Sequence, residues 1–187
     1  MLAIKHAPAD AQHPVTRQSG FTLIELMIAM LILTVGLLAL AGLQASSMRS
    51  THAAYMRTQA GIAAMEMAER MRVNLVGVNA NAYANVSSPP AGTAPTSCQS
   101  NNCLAADIAA EDIYDWLTSL ANTRGLASAQ GRVLCIDSDG GADTDACTDG
   151  SEHLITVMWD GKRSGATGTG CSGSAADLTC HQVRVRP

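Results

Sequence analysis

An acidic residue inside an apolar stretch is the first candidate for chemistry in this sequence. Residues 23–43 are Leu, Ile, Met, Val, Ala and Gly, interrupted only by Glu25 and Thr34. About 20 apolar residues in a helix cross the ~30 Å hydrocarbon layer of a membrane. A carboxylate in that layer is costly without a partner, so we predict that Glu25 makes a functional contact. The alternative is an acid that only reaches the membrane interface.

The junction ahead of the apolar run predicts a partner for this acid. Residues 1–20 contain no apolar run and end at the junction Gly20-Phe21. An ordinary secretory signal has its apolar region before the cleavage site. Here the order is reversed, so cleavage after Gly20 would remove the leader and leave the helix. The new ammonium group of Phe21, or that of a neighbouring subunit, could then pair with Glu25 and offset the desolvation of both charges.

The stretch Gly20-Phe21-Thr22-Leu23-Ile24-Glu25 resembles the class III signal of type IV prepilins. This resemblance implies cleavage between Gly20 and Phe21 by the prepilin peptidase, which also methylates the new amino terminus at Phe21. It implies an assembly contact through Glu25. It also implies an α+β, pilin-like fold, with a long N-terminal α-helix packed on a small antiparallel β-sheet. A plain signal anchor is the alternative interpretation.

Charge and cysteine content indicate where the chain resides. The formal net charge is −4, so no basic field suggests a nucleic-acid partner. Lys5 and Arg17 outnumber Asp10 ahead of the apolar run, which predicts a cytoplasmic N-terminus and a periplasmic C-terminal domain. All six cysteines follow the run, as expected for disulfides in an oxidising compartment. The predicted location is the bacterial inner membrane, as a single-pass protein, and the extracellular pilus after assembly.

Sequence proximity favours three local disulfides, although other connectivities are open. The pairs are Cys98–Cys103, Cys135–Cys147 and Cys171–Cys180. Metal binding by these cysteines is not expected, because no C-x-x-C occurs and the spacings are irregular.

Other ligand and catalytic patterns are weak. An acidic, Gly-rich loop offers weak calcium candidates, but it departs from the EF-hand template and a solvated loop is favoured. Its acids are Asp137, Asp139, Asp143 and Asp145. His52, His153 and His181 lack a recognisable nucleophile context, so no enzymatic activity and no cofactor are predicted.

The elements that position these residues follow from periodicity. No Pro occurs between Phe21 and Asn74, so one helix is predicted, with a membrane half at 21–43 and an amphipathic half at 44–76. The packed face of the amphipathic half is predicted from a three- and four-residue repeat: Ala53, Met56, Ala60, Ala64, Met67, Met71 and Leu75. Glu66–Arg70 and Glu69–Arg72 are predicted ion pairs on the same helix.

Residues 77–187 are predicted to form a disulfide-containing periplasmic domain. Residues 77–100 have loop composition, and a second helix is expected at about 105–121. Its apolar stripe is Leu104, Ile108, Ile113, Trp116, Leu117 and Leu120. Strands at 132–137, 154–160 and 182–186 are joined by Gly/Asp/Ser loops, which favours an antiparallel sheet.

Several further segments are similar to the minor pilin family called type IV pilus modification protein PilV. They are the run 36–44, the segment 68–74, Asn102-Cys103 with Asp107 and Trp116, and the strand ending Val157-Met158-Trp159. The resemblance implies a structural subunit that helps prime pilus assembly and lies near the tip. The implied partners are other minor pilins, the major pilin, the prepilin peptidase/methyltransferase and the inner-membrane assembly platform. Alternatives are a type II secretion pseudopilin, a tip adhesin and a membrane-anchored periplasmic enzyme.

Overall fold

The computed structural model describes residues 20–89, 92–98, 101–122, 124–137, 147–148 and 150–187. The helices are α1 (Leu23–Val73), α2 (Leu75–Asn79) and α3 (Ala105–Asn122). The strands are β1 (Val86–Ser87), β2 (Gln130–Ile136), β3 (Glu152–Trp159) and β4 (Thr179–Val185). This is an α+β, pilin-like arrangement, which confirms the predicted fold class.

The chain divides into two compact units within the length of α1. The first is Met1–Ser47 and the second is Met48–Pro187. In the first unit, the described residues belong almost entirely to the start of α1. Gly36 and Gly42 do not interrupt the helix, although each lowers helix stability by about 1 kcal/mol relative to Ala.

The second unit contains an antiparallel sheet in the order β1-β2-β3-β4. Sequential strands pair with each other, as expected for strands joined by loops rather than by crossover helices. The register places Val133 of β2 opposite Ile155 of β3, and Ile155 opposite Val183 of β4. β1 was not predicted, because its two residues lie in a segment with loop composition.

The core of the second unit is built from small α1 residues, aromatic rings and β-branched strand residues. Its α1 members are Met56, Ala60, Ala63, Ala64, Met67, Ala68 and Met71. The other elements contribute chiefly Tyr83, Trp116, Leu117, Leu120, Val133, Ile155, Val157 and Trp159. Most of the predicted packed face of the amphipathic helix is therefore confirmed. The prediction that Leu75 belongs to this face is wrong, because Leu75 is 48% exposed.

One glycine decides how α3 lies on the sheet. A Cβ at Gly131 would lie 2.5 Å from Cζ3 of Trp116 and 2.8 Å from Cδ2 of Leu117. The absence of a side chain on β2 therefore makes room for the Trp116 ring. The indole Nε1 donates to the carbonyl oxygen of Ala63 at 2.8 Å, which ties α3 to α1.

The predicted stripe of α3 is only partly correct. Trp116, Leu117 and Leu120 are buried, but Leu104 is 75% exposed and Ile108 is 37% exposed. The N-terminal end of α3 thus extends beyond the covered part of the core. Periodicity identified the apolar face of the helix but not where its burial begins.

Candidate functional site

The Gly20-Phe21 junction lies outside the helix and is exposed. Gly20, Phe21 and Thr22 precede α1, and the Phe21 side chain is 83% exposed. Thr22 accepts hydrogen bonds at its carbonyl oxygen from the amides of Glu25 (3.1 Å) and Leu26 (3.2 Å). The Gly20-Phe21 peptide bond, which a leader peptidase would cut, therefore lies in exposed chain outside the helix, immediately ahead of its first turn.

Glu25 occupies the first turn of α1. A carboxylate at this position is favoured by the positive end of the helix dipole. Its backbone amide is also 3.4 Å from the Thr22 hydroxyl oxygen, so the side chain of Thr22 contributes to the cap. The first turn thus holds one negative charge a few residues from the junction.

The helix behind this charge exposes an apolar surface on every side. It is long and apolar enough to cross a membrane, and none of its apolar window is buried. The large apolar residues, each more than half exposed, are Leu23, Ile24, Leu26, Met27, Ile28, Met30, Leu31, Ile32, Leu33, Val35, Leu37, Leu38, Leu40 and Leu43. A core helix of a soluble domain would bury one face, so this surface requires lipid or other protein chains around it.

Thr34 does not disturb this apolar character. Its hydroxyl donates to the carbonyl oxygen of Leu31 at 2.8 Å, so the polar atoms satisfy each other within the helix. Glu25 is the one ionisable side chain in residues 21–43. This combination is consistent with an assembly contact, which stays a prediction.

A polar network joins α1 to the rest of the second unit. Arg70 donates to Asp112 of α3 at 2.8 Å and to Glu66 at 3.1 Å. The Tyr83 hydroxyl donates to the second oxygen of Asp112 at 2.6 Å, and Asn74 donates to the Tyr83 oxygen at 3.1 Å. Burial, followed by the hydrogen bond to Asp112, raises the pKa of Tyr83, so its hydroxyl stays protonated as a donor.

This network is structural, and sequence reasoning found only part of it. The predicted pair Glu66–Arg70 is present, as is Glu69–Arg72. Glu66 also pairs with Arg124, which follows α3. The contacts to Asp112, Tyr83 and Arg124 join residues far apart in the chain, for which helical spacing gives no signal.

The cysteines lie in three pairs, Cys98–Cys103, Cys135–Cys147 and Cys171–Cys180. Their Cα–Cα distances are 5.6, 6.1 and 5.6 Å, within the range of disulfides. The first pair precedes α3, the second links the end of β2 to the segment before β3, and the third links the start of β4 to the loop ahead of it. These are the pairs expected from proximity, and oxidation of the protein stays a prediction with its test below.

His153 lies beside one of these pairs. Its Nε2 atom is 4.0 Å from Sγ of Cys147, and the possible ligand atoms of Cys135, Cys147 and His153 lie within 4.8 Å of one another. A cysteine binds metal as a thiolate, which two sulfurs joined in a disulfide cannot provide. Burial lowers the pKa of His153, so the imidazole is held in its neutral form.

Of the four calcium candidates, Asp137 alone lies within the described residues. Asp137 lies directly after β2, and its Oδ1 atom accepts from the hydroxyls of Thr148 (2.7 Å) and Ser151 (3.1 Å). Asp139, Asp143 and Asp145 lie outside the described residues. Calcium binding stays a weak prediction.

Two family models match adjoining parts of the chain. Its long α1 and small antiparallel sheet define the pilin-like class of fold. Residues 15–41 match the family model of the prokaryotic N-terminal methylation motif, and residues 42–114 match the model of type IV pilin Tt1218. The methylation motif and the adjoining type IV pilin match together support a pilin subunit. Pilins of this kind assemble with one another in a pilus and have a membrane-anchoring helix.

The comparisons do not assign the chain to a subfamily of pilins. No curated protein and no solved structure matches the chain significantly. The two matched regions end at Tyr114 and do not identify the PilV subfamily, which stays a prediction.

Proposed function

We propose that the protein is a minor pilin of the type IV pilus, a structural subunit without enzymatic activity. The observation that carries this proposal is the order of features at the N-terminus. An exposed Gly20-Phe21 junction is followed by one acid in the first helical turn and by an apolar helix that no part of the described chain covers. The methylation-motif match over residues 15–41 supports the same interpretation.

In this proposal residues 1–20 are a leader and residues 21–43 anchor the precursor in the inner membrane. The peptidase cuts after Gly20 and methylates Phe21. Residues 44–187 then form a periplasmic part that becomes extracellular when the assembly platform transfers the subunit to the filament. Priming of assembly with other minor pilins and a position near the tip follow from the resemblance to the PilV family.

Glu25 has the central role in this mechanism. In a membrane or a filament core, an ion pair is screened far less than in water, so its free energy depends strongly on whether the partner is present. The ammonium of an incoming or neighbouring Phe21 offers such a partner. Pairing would set the axial register of one subunit relative to the next.

Mass spectrometry of the N-terminal peptide, isolated from sheared pili and from membranes, tests the proposal. The expected result is a chain that starts at methylated Phe21 in both fractions, at low abundance in pili. An intact leader or another start site would contradict the pilin assignment. A processed chain that is absent from pili but required for protein secretion would instead indicate a pseudopilin.

A further inference from the structure

A cavity of about 340 Å³ lies in the second unit, between α1 and the segment that connects β3 to the start of β4. Arg57 of α1 lines it, as do Lys162 and Ser164 from the turn after β3. The opposite wall is the loop closed by Cys171–Cys180, together with Thr179. The volume is at the lower end for small-ligand sites, which suits a ligand the size of one sugar ring.

Two cationic side chains in this cavity have no partner among the described residues. The side chains of Arg57 and Lys162 are exposed and make no hydrogen bond or ion pair with any residue in the described parts of the chain. They come from different elements, α1 and the turn after β3, and both line the cavity. An anionic group bound there could receive hydrogen bonds from both, and charge-assisted hydrogen bonds are roughly twice as strong as neutral ones.

The carboxylates in the same cavity are already engaged by the loops that carry them. Asp160 accepts from the amides of Ser164 (3.0 Å) and Gly165 (2.7 Å). Asp177 accepts from the amide of Ser172 at 3.0 Å and from its hydroxyl. These hydrogen bonds, with that from Ser164 the largest for Asp160, hold the pKa values of both carboxyl groups below their usual range. Both acids therefore stay charged while they fix the shape of the turns.

The glycines around Asp177 show that this wall is closely built. A Cβ at Gly168 would collide with Oδ1 of Asp177, and one at Gly170 would lie 2.8 Å from its Oδ2. The disulfide Cys171–Cys180 holds the same loop at its two ends. The cavity wall is thus held by packing, hydrogen bonds and a covalent link, which reduces the entropy that a ligand must remove on binding.

We propose that this cavity binds a sugar residue that carries a carboxylate. Arg57 and Lys162 would hold the carboxylate, while the hydroxyls of Ser164 and Thr179 would bond to the sugar hydroxyls. A dianionic phosphate fits less well, because two aspartates balance the two cations in the cavity. The proposal goes beyond the role in the pilus and would make the subunit a receptor for an acidic saccharide.

Calorimetry with the full-length mature protein in detergent micelles tests the ligand class. The probes are glucuronic acid, glucose, acetate and inorganic phosphate. Glucuronic acid should bind at least about tenfold more tightly than any of the others, because it alone offers both the charge and the hydroxyls. Equal binding of glucose would overturn the role of the cations. Equal binding of acetate or phosphate would reduce the site to a simple anion site and overturn the sugar assignment.

Variants locate the site. Arg57→Gln and Lys162→Gln should each weaken glucuronic acid binding about tenfold, which corresponds to about 1.4 kcal/mol. Arg49→Gln removes an exposed cation from the same helix outside the cavity and should leave the affinity unchanged. Tryptophan fluorescence would check that each variant is folded. If both cavity variants fold and bind like the wild type, or if Arg49→Gln weakens binding equally, the proposed site is wrong.

Discussion

Residues 23–43 and residues 56–71 belong to the same helix but meet different surroundings. Every large apolar side chain of the first segment is more than half exposed, whereas seven residues of the second segment are buried. Burying a large aliphatic side chain contributes about 1.5–3 kcal/mol. The second segment gains this free energy from the sheet and α3 of its own chain. The first can gain it only from lipid or from other subunits.

The two segments also differ in how they use small residues. Ala60, Ala63, Ala64 and Ala68 lie on the buried face of the second segment, where they let the strands and α3 approach the helix. In the first segment, a Cβ at Gly36 or Gly42 would meet no atom within 4 Å. Small residues are therefore fixed by packing in the second segment, whereas no contact with the described part of the chain requires them in the first.

The largest effect is expected for Trp116→Ala. Trp116 is fully buried and donates to Ala63, so its loss should lower the free energy of unfolding of the second unit by about 3–5 kcal/mol. Urea unfolding in micelles, followed by the fluorescence of Trp159, measures it. Membrane insertion and leader cleavage should not change, because the first unit contains none of these contacts. Trp116→Phe, which keeps most of the volume, should cost less; an equal cost would contradict the packing account.

Removal of one disulfide should have the next largest effect. Replacing both Cys171 and Cys180 by Ser should lower the free energy of unfolding by about 2–3 kcal/mol, since the unfolded chain is then no longer constrained. Incorporation into membranes should again be unaffected.

Alkylation of the denatured, unreduced wild-type protein should label no cysteine. Labelling of two or more would contradict the three-bridge arrangement.

Glu25→Ala should act on the first segment alone. The amount of the variant protein in sheared pili should fall at least about tenfold, the equivalent of about 1.4 kcal/mol. The reason is the loss of the contact between Glu25 and the Phe21 ammonium of another subunit, in a low-dielectric layer. Immunoblots of pili and membranes measure the ratio. Leader cleavage, insertion and the unfolding of the second unit should stay as in the wild type.

Thr34→Ala is the matched control for Glu25→Ala. It removes a polar group from the same helix, but one whose hydroxyl is satisfied by Leu31. Incorporation of the Thr34→Ala variant into pili should equal that of the wild type.

Incorporation of the Glu25→Gln variant should be intermediate at best, because this side chain keeps a hydrogen bond and loses the charge. Wild-type abundance of Glu25→Ala in pili would leave the acid as a simple interfacial residue.

The smallest effect concerns pH. Burial lowers the pKa of His153 from its ordinary value of 6.5, so the unfolded chain binds a proton more readily than the folded chain. Stability of the second unit should therefore be unaffected by His153 above about pH 6.5 and should fall as the pH drops below that value. His153→Gln should flatten this part of the urea-unfolding profile, while substitution of the exposed His52 should not. An unchanged profile for His153→Gln would show that other groups cause the slope.

The sequence predicted the elements better than their ends. One long helix, a second helix and three antiparallel strands were correct, with shifts of one to three residues at most boundaries. β1 was missed because two residues are too few for an alternating pattern. The first helix was predicted to run to residue 76, but α1 ends at Val73 and the separate helix α2 follows at Leu75–Asn79. Leu75, Leu104 and Ile108 were predicted as core and are exposed, because periodicity reports the apolar side of a helix and not how far the neighbouring elements extend.

What the sequence determines by itself is local: the junction Gly20-Phe21, the acid five residues after Gly20, the apolar helix behind it and the spacing of the cysteines. Each depends on residues close together in the chain, so type and spacing suffice to recognise it. Only the tertiary structure brought Arg70, Tyr83 and Asp112 into one network, seated Trp116 over Gly131, and placed Arg57 and Lys162 in one cavity. These contacts join distant residues whose proximity is set by the packing of α1 and α3 with the sheet.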